Sequence, residues 1–321
     1  MKQLSFFPGA AASTILGFGT TSFMGLRSSK ERLALLEIAF EAGIRHFDTA
    51  PAYGYGEAER ILGDFIAGKR EQLTITTKYG IQPAGLVKTR SVNLLARRIL
   101  RLFPSMRTAL SRKAQSLSRK GAFSPAEARR SLDQSLIALQ TEHVDLFLLH
   151  EPTYADAASE EMHQFLEEEM RRGRIRAFGC GGDFSVIQNI AAATLPTSRW
   201  LQFEDNVLSR GIEKIRATGA RCITYRTFHQ ALATLTNWLE SVPGRQAEWE
   251  RQLQVDLHVE GTLAGLLQAA SHSRNPDGIV LFSTSRADRI RSAARIASGN
   301  RFSREQLLKF DELTKNTRIG V

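Results

Sequence analysis

The stretch IRHFDTAPAYGYGEAERILG, residues 44 to 63, places Asp48 at the end of an apolar run and Tyr53 in a turn of small residues and glycines. Lys78 ends a second apolar run, LTITTK, and His150 ends a third, VDLFLLH. Taken singly, each has a structural alternative: a helix-capping carboxylate, a solvated strand-end ammonium, an imidazole bonded to a turn. Together they suit proton transfer. A phenol with an ordinary pKa near 10 is a poor acid at neutral pH. A nearby ammonium favours the phenolate, each unit of depression being worth about 1.4 kcal/mol. On this reading Lys78 acidifies Tyr53, Asp48 keeps the lysine charged and fixed, and His150 orients the reacting oxygen. The product is a general acid beside a carbonyl-sized space, suited to a reaction in which hydride reaches carbon while a proton reaches oxygen.

Bringing these residues together requires a scaffold that aligns strand ends. Short apolar runs at 14–19, 44–48, 73–78, 144–150, 175–180, 199–204, 221–225 and 278–283 read as strands. Helical patterns fill the intervals at 30–42, 57–67, 125–139, 160–172, 184–193, 208–218, 259–272 and 286–297. In SPAEARRSLDQSL, Ser124 is the expected N-cap, with Pro125 in the first turn and Glu127 at the third position. Gly43, Gly173 and Gly219 stand where a helix hands over to a strand. Strict alternation of eight strands and eight helices predicts an α/β fold, a (β/α)8 TIM barrel, as one domain over 1–321. Such barrels need ~250 residues, and the excess falls in a basic insertion at 88–121 after strand three and a longer one at 228–258 after strand seven. Strand C-terminal ends are where such a barrel carries its chemistry, which puts Asp48, Lys78 and His150 on one rim.

An apolar content of 42% and a charged content of 24% suit a folded core and argue against disorder. No apolar run approaches the ~20 residues that span a bilayer. The N-terminal MKQLSFFPGAAAST is interrupted by Pro8 and Gly9 and leads at once into a strand, so it reads as a turn or hairpin of a cytoplasmic protein rather than a signal peptide. Cys180 and Cys222 are too few for a disulfide framework and read as buried free thiols. The histidines show no metal spacing, so no metal is expected. The net charge of +10 is local: the stretch from Lys88 to Gly121 has ten basic residues and no acid, which accounts for the whole difference between 43 basic and 33 acidic residues.

The chain resembles the aldo-keto reductase superfamily, in its bacterial and potassium-channel-β-like branch. The resemblance rests on GIRHFDTAPAYGYGEAERILG, TITTKYG and SLDQSLIALQTEHVDLFLLHEP, and spans roughly residues 14 to 300. It implies a barrel using NADPH, with Asp48, Tyr53, Lys78 and His150 as the catalytic tetrad and Tyr53 as proton donor. It also implies Gly19 and Thr20 beneath the nicotinamide, Gln202 at its carboxamide and Tyr225 stacked on its ring. Ser283, Thr284, Arg286 and Arg289 fall where the family grips the adenosine 2′-phosphate, and arginine beside hydroxyls suits a phosphate. The alternative for these arginines is an exposed helix start.

The sequence departs from the family pattern on the cofactor side. Gly181 and Gly182 replace the Ser-Asn pair after strand five, Asp205 replaces a tyrosine although Asn206 remains, and RTFHQ replaces a Ser-Pro-Leu run. Arg226 and Thr227 then stand as possible pyrophosphate contacts. GFGTTSFMG lacks the third glycine of a dinucleotide-fold loop, and no tyrosine has a lysine four residues on. Residues 90–103, RSVNLLARRILRLF, carry Val92, Leu95, Ile99, Leu102 and Phe103 on one helical face and arginines opposite. This predicts a lid that favours an anionic or amphiphilic carbonyl substrate. The alternatives are a solvated loop or contact of 90–119 with a membrane surface, and no nucleic acid is expected. Reduction of an aldehyde or ketone, or the reverse oxidation, is the function these residues favour. A nucleotide-binding regulatory or scaffold barrel with little turnover is the alternative, and the oligomeric state is open.

Overall fold

The computed structural model describes residues 1–25, 28–81, 123–299 and 301–316. The basic insert at 88–121, with its expected helix at 90–103, lies outside the described residues. The chain opens on the expected N-terminal hairpin, β1 (Gln3–Leu4) paired antiparallel with β2 (Ser13–Thr14). Eight parallel strands then form a closed barrel: β3 (Leu16–Gly19), β4 (His46–Asp48), β5 (Thr74–Tyr79), β6 (Val144–His150), β7 (Ile175–Gly181), β8 (Trp200–Glu204), β9 (Arg221–Tyr225) and β10 (Ile279–Phe282), with β10 pairing back onto β3. Every expected strand is present. Because helices cover one face of the sheet and the barrel interior fills the other, these strands are apolar almost continuously rather than alternately. In β6 every residue from Val144 to Leu149 is buried, and only His150 at the rim is partly open.

Register decides what reaches that rim. Gly19 pairs with Asp48 and Asp48 with Thr76, which sets Lys78 two residues further along β5. Close approach of β7 to β8 depends on Gly179, since a Cβ there would overlap the Trp200 carbonyl oxygen. At the opposite end, Phe7 of the hairpin stacks on Trp200, with centroids 4.9 Å apart, and on His46, at 6.5 Å. Both partners begin their strands, so the hairpin packs against the end of the barrel away from Asp48 and Lys78.

The helix starts follow local chemistry. Ser124 caps Pro125–Leu139 by accepting the Glu127 N–H, as its sequence predicts. Ser28 and Glu31 form a reciprocal capping box at the start of Ser29–Glu41. Gly43 takes a φ of +90° between that helix and β4, a conformation that costs glycine little. The helix expected at 208–218 is shorter, Gly211–Ile215 followed by a 3-10 turn at Arg216–Thr218, because Arg210 is left-handed at φ 50°. The insert at 228–258 folds into helices Ala231–Glu240 and Arg245–Leu253. A further helix not anticipated from sequence, Arg304–Asn316, packs Phe310 edge-on against Trp249 at 6.1 Å, closing a second apolar cluster with Leu235 and Leu266. Cys180 and Cys222 are buried and free, as expected. Among the described residues, no helix is long and apolar enough to cross a membrane.

Candidate active site

Side chains and backbone from several barrel strands form one connected group at the C-terminal mouth. The Lys78 ammonium donates to Asp48 Oδ1 at 2.5 Å and to the Thr49 carbonyl at 2.9 Å. Gln202, from β8, donates its amide to the other oxygen, Asp48 Oδ2, at 2.7 Å. Asp48 thus ties β4 to β5 and β8. Lys78 is 1% exposed and Asp48 3%. Tyr53 lies in a short 3-10 turn, Tyr53–Gly56, directly after β4. The Lys78 ammonium sits 4.9 Å from the centroid of its ring. His150 meets that ring edge to face, with centroids 6.1 Å apart and planes at 90°. The structure therefore brings Asp48, Tyr53, Lys78 and His150 together.

The electrostatics differ from the sequence-based expectation in one respect. Burial pushes the Tyr53 pKa up rather than down, Asp48 and Glu151 push it further, and Arg226 opposes them. Lys78 does not overcome this because its charge is matched by Asp48 in direct contact. Burial also lowers the Lys78 pKa, with Asp48 pulling it back up. Tyr53 is consequently a protonated phenol at neutral pH: the acid form, held in place but not acidified. Burial, then Lys78, brings His150 down from 6.5 to about 3, so its imidazole is neutral and can exchange a hydrogen bond without adding charge.

His46, deep in the barrel and bonded to Thr74 Oγ1 at 3.0 Å, is likewise lowered from 6.5 to about 3, by burial first and Lys78 second. Unfolding exposes both rings and lets them bind protons that the folded state refuses. The stability they contribute is present above pH 6.5 and is lost as pH falls toward about 3. We expect the urea midpoint to drop over that window, and the drop to be shallower in His150→Asn. An equal slope in the variant would contradict this account of His150.

The expected cofactor residues divide into two groups. Gly19 and Thr20 lie beside the tetrad, with Thr20 Oγ1 donating to Thr49 Oγ1 at 3.0 Å. Gly19 is buried, and a Cβ on it would stand in ordinary contact with the Phe282 carbonyl oxygen at 3.7 Å and Ser283 Cβ at 3.8 Å. Tyr225 borders a cleft of about 390 Å³ at the ends of β6 to β9. Ser283 donates to the Gly19 carbonyl at 2.7 Å and accepts from Ser22 N–H at 2.9 Å, so it braces the β3 end. Thr284 caps the Arg286 N–H at 3.2 Å. Arg286 and Arg289 are exposed, and Arg286 is held in a two-point pair with Asp288 at 3.1 and 2.5 Å. Of the two possible pyrophosphate contacts, Arg226 is paired with Glu204 at 2.8 Å and Thr227 is buried. Asn206 turns inward and accepts the backbone N–H groups of Leu208 and Ser209.

Sequence reasoning missed Glu151 and the Thr49 carbonyl. The carbonyl is backbone and carries no residue signal. Glu151 follows His150 directly, and its acidic character beside a strand end was the available signal. It adopts φ 57°, unusual for a residue with a side chain, and accepts the Asp183 N–H on Oε2 at 3.2 Å.

Two curated relatives align with the chain. A pyridoxal 4-dehydrogenase from Microbacterium luteolum is 33% identical over 198 residues, covering 55% of this chain and 54% of the relative. A D-threo-aldose 1-dehydrogenase from a Pseudomonas species is 32% identical over 190 residues, covering 54% and 53%. The chain spans about half the length of these relatives. Among solved structures, an aldo-keto reductase from Bacillus halodurans in its holo form superposes with a TM-score of 0.70 at 18% identity, covering 98% of this chain and 96% of that one. One from Klebsiella pneumoniae in complex with NADPH gives 0.64 at 20% identity, covering 99% and 97%. These two share the fold. Residues 15–314, which include the barrel and every side chain of the mouth, match the aldo/keto reductase family, and the protein belongs to that family.

Proposed function

We propose that this protein is an NADPH-dependent reductase of an aldehyde or ketone, working also in reverse, with Tyr53 as proton donor. The observation that carries the reading is the bonded chain Gln202–Asp48–Lys78 held against the Tyr53 ring, with neutral His150 packed edge-on to the same ring. Residues present at the mouth fit a nicotinamide cofactor: the aromatic Tyr225 beside a cleft, the Gln202 amide reaching the same carboxylate as Lys78, and Gly19, without a side chain, paired with Asp48. When bound, the reduced nicotinamide supplies the hydride. The chain does the rest. His150 orients the carbonyl oxygen, and Tyr53 hands its proton to that oxygen as negative charge develops there. Lys78 stabilises the phenolate left behind, and Asp48 holds the ammonium within reach.

Ser283 and Thr284 with Arg286 and Arg289 support NADPH over NADH, through the guanidinium groups at the start of the helix Ala287–Ala297. The names of the relatives support an aldehyde or aldose as substrate. The ten basic residues of 88–121 support an anionic or amphiphilic one. Two free buried thiols support a cytoplasmic setting.

Gly181 and Gly182 in place of the family's Ser-Asn pair, with the basic insert at 88–121, favour a second reading, a regulatory nucleotide-binding barrel with little turnover. Incubation with NADPH and a panel of aldehydes and aldoses, following the near-ultraviolet absorbance of the reduced nicotinamide, separates the two. Sustained oxidation of NADPH supports the reductase. Tight cofactor binding with no oxidation across the panel supports the regulatory barrel.

A further inference from the structure

The cleft beside Tyr225 has an unusual charge for a place that receives a dinucleotide. Glu151, Asp183 and Glu204 all line it, against a single guanidinium, Arg226, which is already paired with Glu204 at 2.8 Å. Lys214 lies over the neighbouring Phe184 ring at 5.6 Å, but it is exposed and preceded by Glu213, so the carboxylates remain in excess.

Glu151 is fixed there by several features of the fold. Its backbone is left-handed, its N–H donates to the Gly181 carbonyl at 2.7 Å, and its carboxylate accepts the Asp183 N–H at 3.2 Å. A Cβ on residue 182 would lie 2.9 Å from Glu151 Oε2 and 3.2 Å from its Cα. Glycine at 182 lets the Glu151 carboxylate lie here without displacement, where a side chain would press on it. The missing side chain at 182, which the sequence shows as a loss, leaves space that the Glu151 carboxylate of the adjacent strand occupies. Its field reaches the reaction centre, since the same carboxylate biases both Tyr53 and Tyr225 toward their neutral forms.

We infer that Glu151, supported by Asp183, is a specificity-determining residue that makes this cleft bind the oxidised, cationic nicotinamide more tightly than the reduced, neutral one. The inference rests on the cofactor reading above. Oxidised and reduced cofactor carry the same phosphates, so repulsion between the carboxylates and those phosphates cancels in the ratio of the two affinities. What remains is the single positive charge on the oxidised ring, set among fixed carboxylates in a partly desolvated cleft. There each opposite charge acts with more force than in water. A site of this kind favours the state that follows hydride delivery, and so assists carbonyl reduction on the enzyme while retaining the spent cofactor.

The test is the dissociation constants of NADP⁺ and NADPH, measured by titration calorimetry on the full-length wild type, Glu151→Gln and Asp183→Asn. In Glu151→Gln the side-chain amide retains an oxygen to accept the Asp183 N–H. In Asp183→Asn the substituted side chain still caps the helix Phe184–Ala192, so this variant keeps the inference falsifiable if Glu151→Gln fails to fold. The wild type is expected to prefer NADP⁺, and the preference to shrink ~5- to 10-fold in Glu151→Gln and less in Asp183→Asn, where the carboxylate removed is exposed. Binding of both forms by the wild type with a ratio unchanged in both variants would overturn the inference alone. Binding of neither form would overturn the cofactor assignment and this inference with it.

Discussion

Tyr53→Phe lowers the turnover of carbonyl reduction by ~10²- to 10⁴-fold, the usual contribution of a positioned general acid, and leaves cofactor affinity unchanged. The variant removes one oxygen and keeps the ring, so the edge-to-face packing on His150 and the Lys78 contact survive. A fall in kcat without a change in stability would therefore report the proton, not the fold. The size of the effect follows from the state of the phenol. Burial, Asp48 and Glu151 keep Tyr53 protonated, so the hydroxyl is available in nearly every molecule. The barrier lies in stabilising the phenolate once the proton leaves, and Lys78 is the cation placed to do it. Pre-steady-state and steady-state assays on the same aldehyde check the expectation. Wild-type rates in the variant would remove Tyr53 from the reaction.

Lys78→Met should affect both stability and rate. The side chains of Lys78 and Asp48 are 1% and 5% exposed, so deleting the ammonium leaves a buried carboxylate bonded to the neutral Gln202 amide and stripped of its counter-ion. Breaking a buried pair from one side costs about 3–5 kcal/mol, mostly the penalty of the stranded charge. Adding Asp48→Asn to Lys78→Met should recover most of that loss, because an amide can still bond Gln202 and needs no counter-ion. Turnover should not recover, since no cation is left beside the phenol. Urea unfolding and turnover measured on the two single variants and the double variant form a complete cycle. If Lys78→Met were as stable as the wild type, the pair would not be formed in solution. If the double variant regained activity, the ammonium would not be the group that stabilises the phenolate.

The barrel and much of its mouth were legible in the sequence for a simple reason. A parallel strand covered on both faces must be apolar along its length, so VDLFLLH and LTITTK announce themselves, and a polar residue ending such a run has to emerge at the rim. Asp48, Lys78 and His150 follow from that rule, Tyr53 from its place in the turn after Asp48, and Gln202 from the family resemblance alone. The caps at Ser124 and the turn at Gly43 are equally local, because a few neighbouring residues determine them.

What the sequence could not settle depends on groups far apart in the chain. The helix Arg304–Asn316 needs Trp249 and Leu266 to cover its Phe310, and neither is nearby in sequence. Pairing of Arg226 with Glu204, 22 residues apart, is a matter of side-chain reach between neighbouring strand ends. The direction of the Tyr53 pKa turned on competition between burial and charge at fixed distances, and composition holds no distances. Glu151 is the sharpest case. One-dimensional reading saw two glycines as an empty place, whereas the folded chain brings the end of β6 against the end of β7 and puts a carboxylate there. The sequence by itself determined the barrel and the polar residues that end its strands. Only the tertiary structure decided which charges oppose one another there, because Coulomb energy depends on separation and burial, and the closure of the barrel sets both.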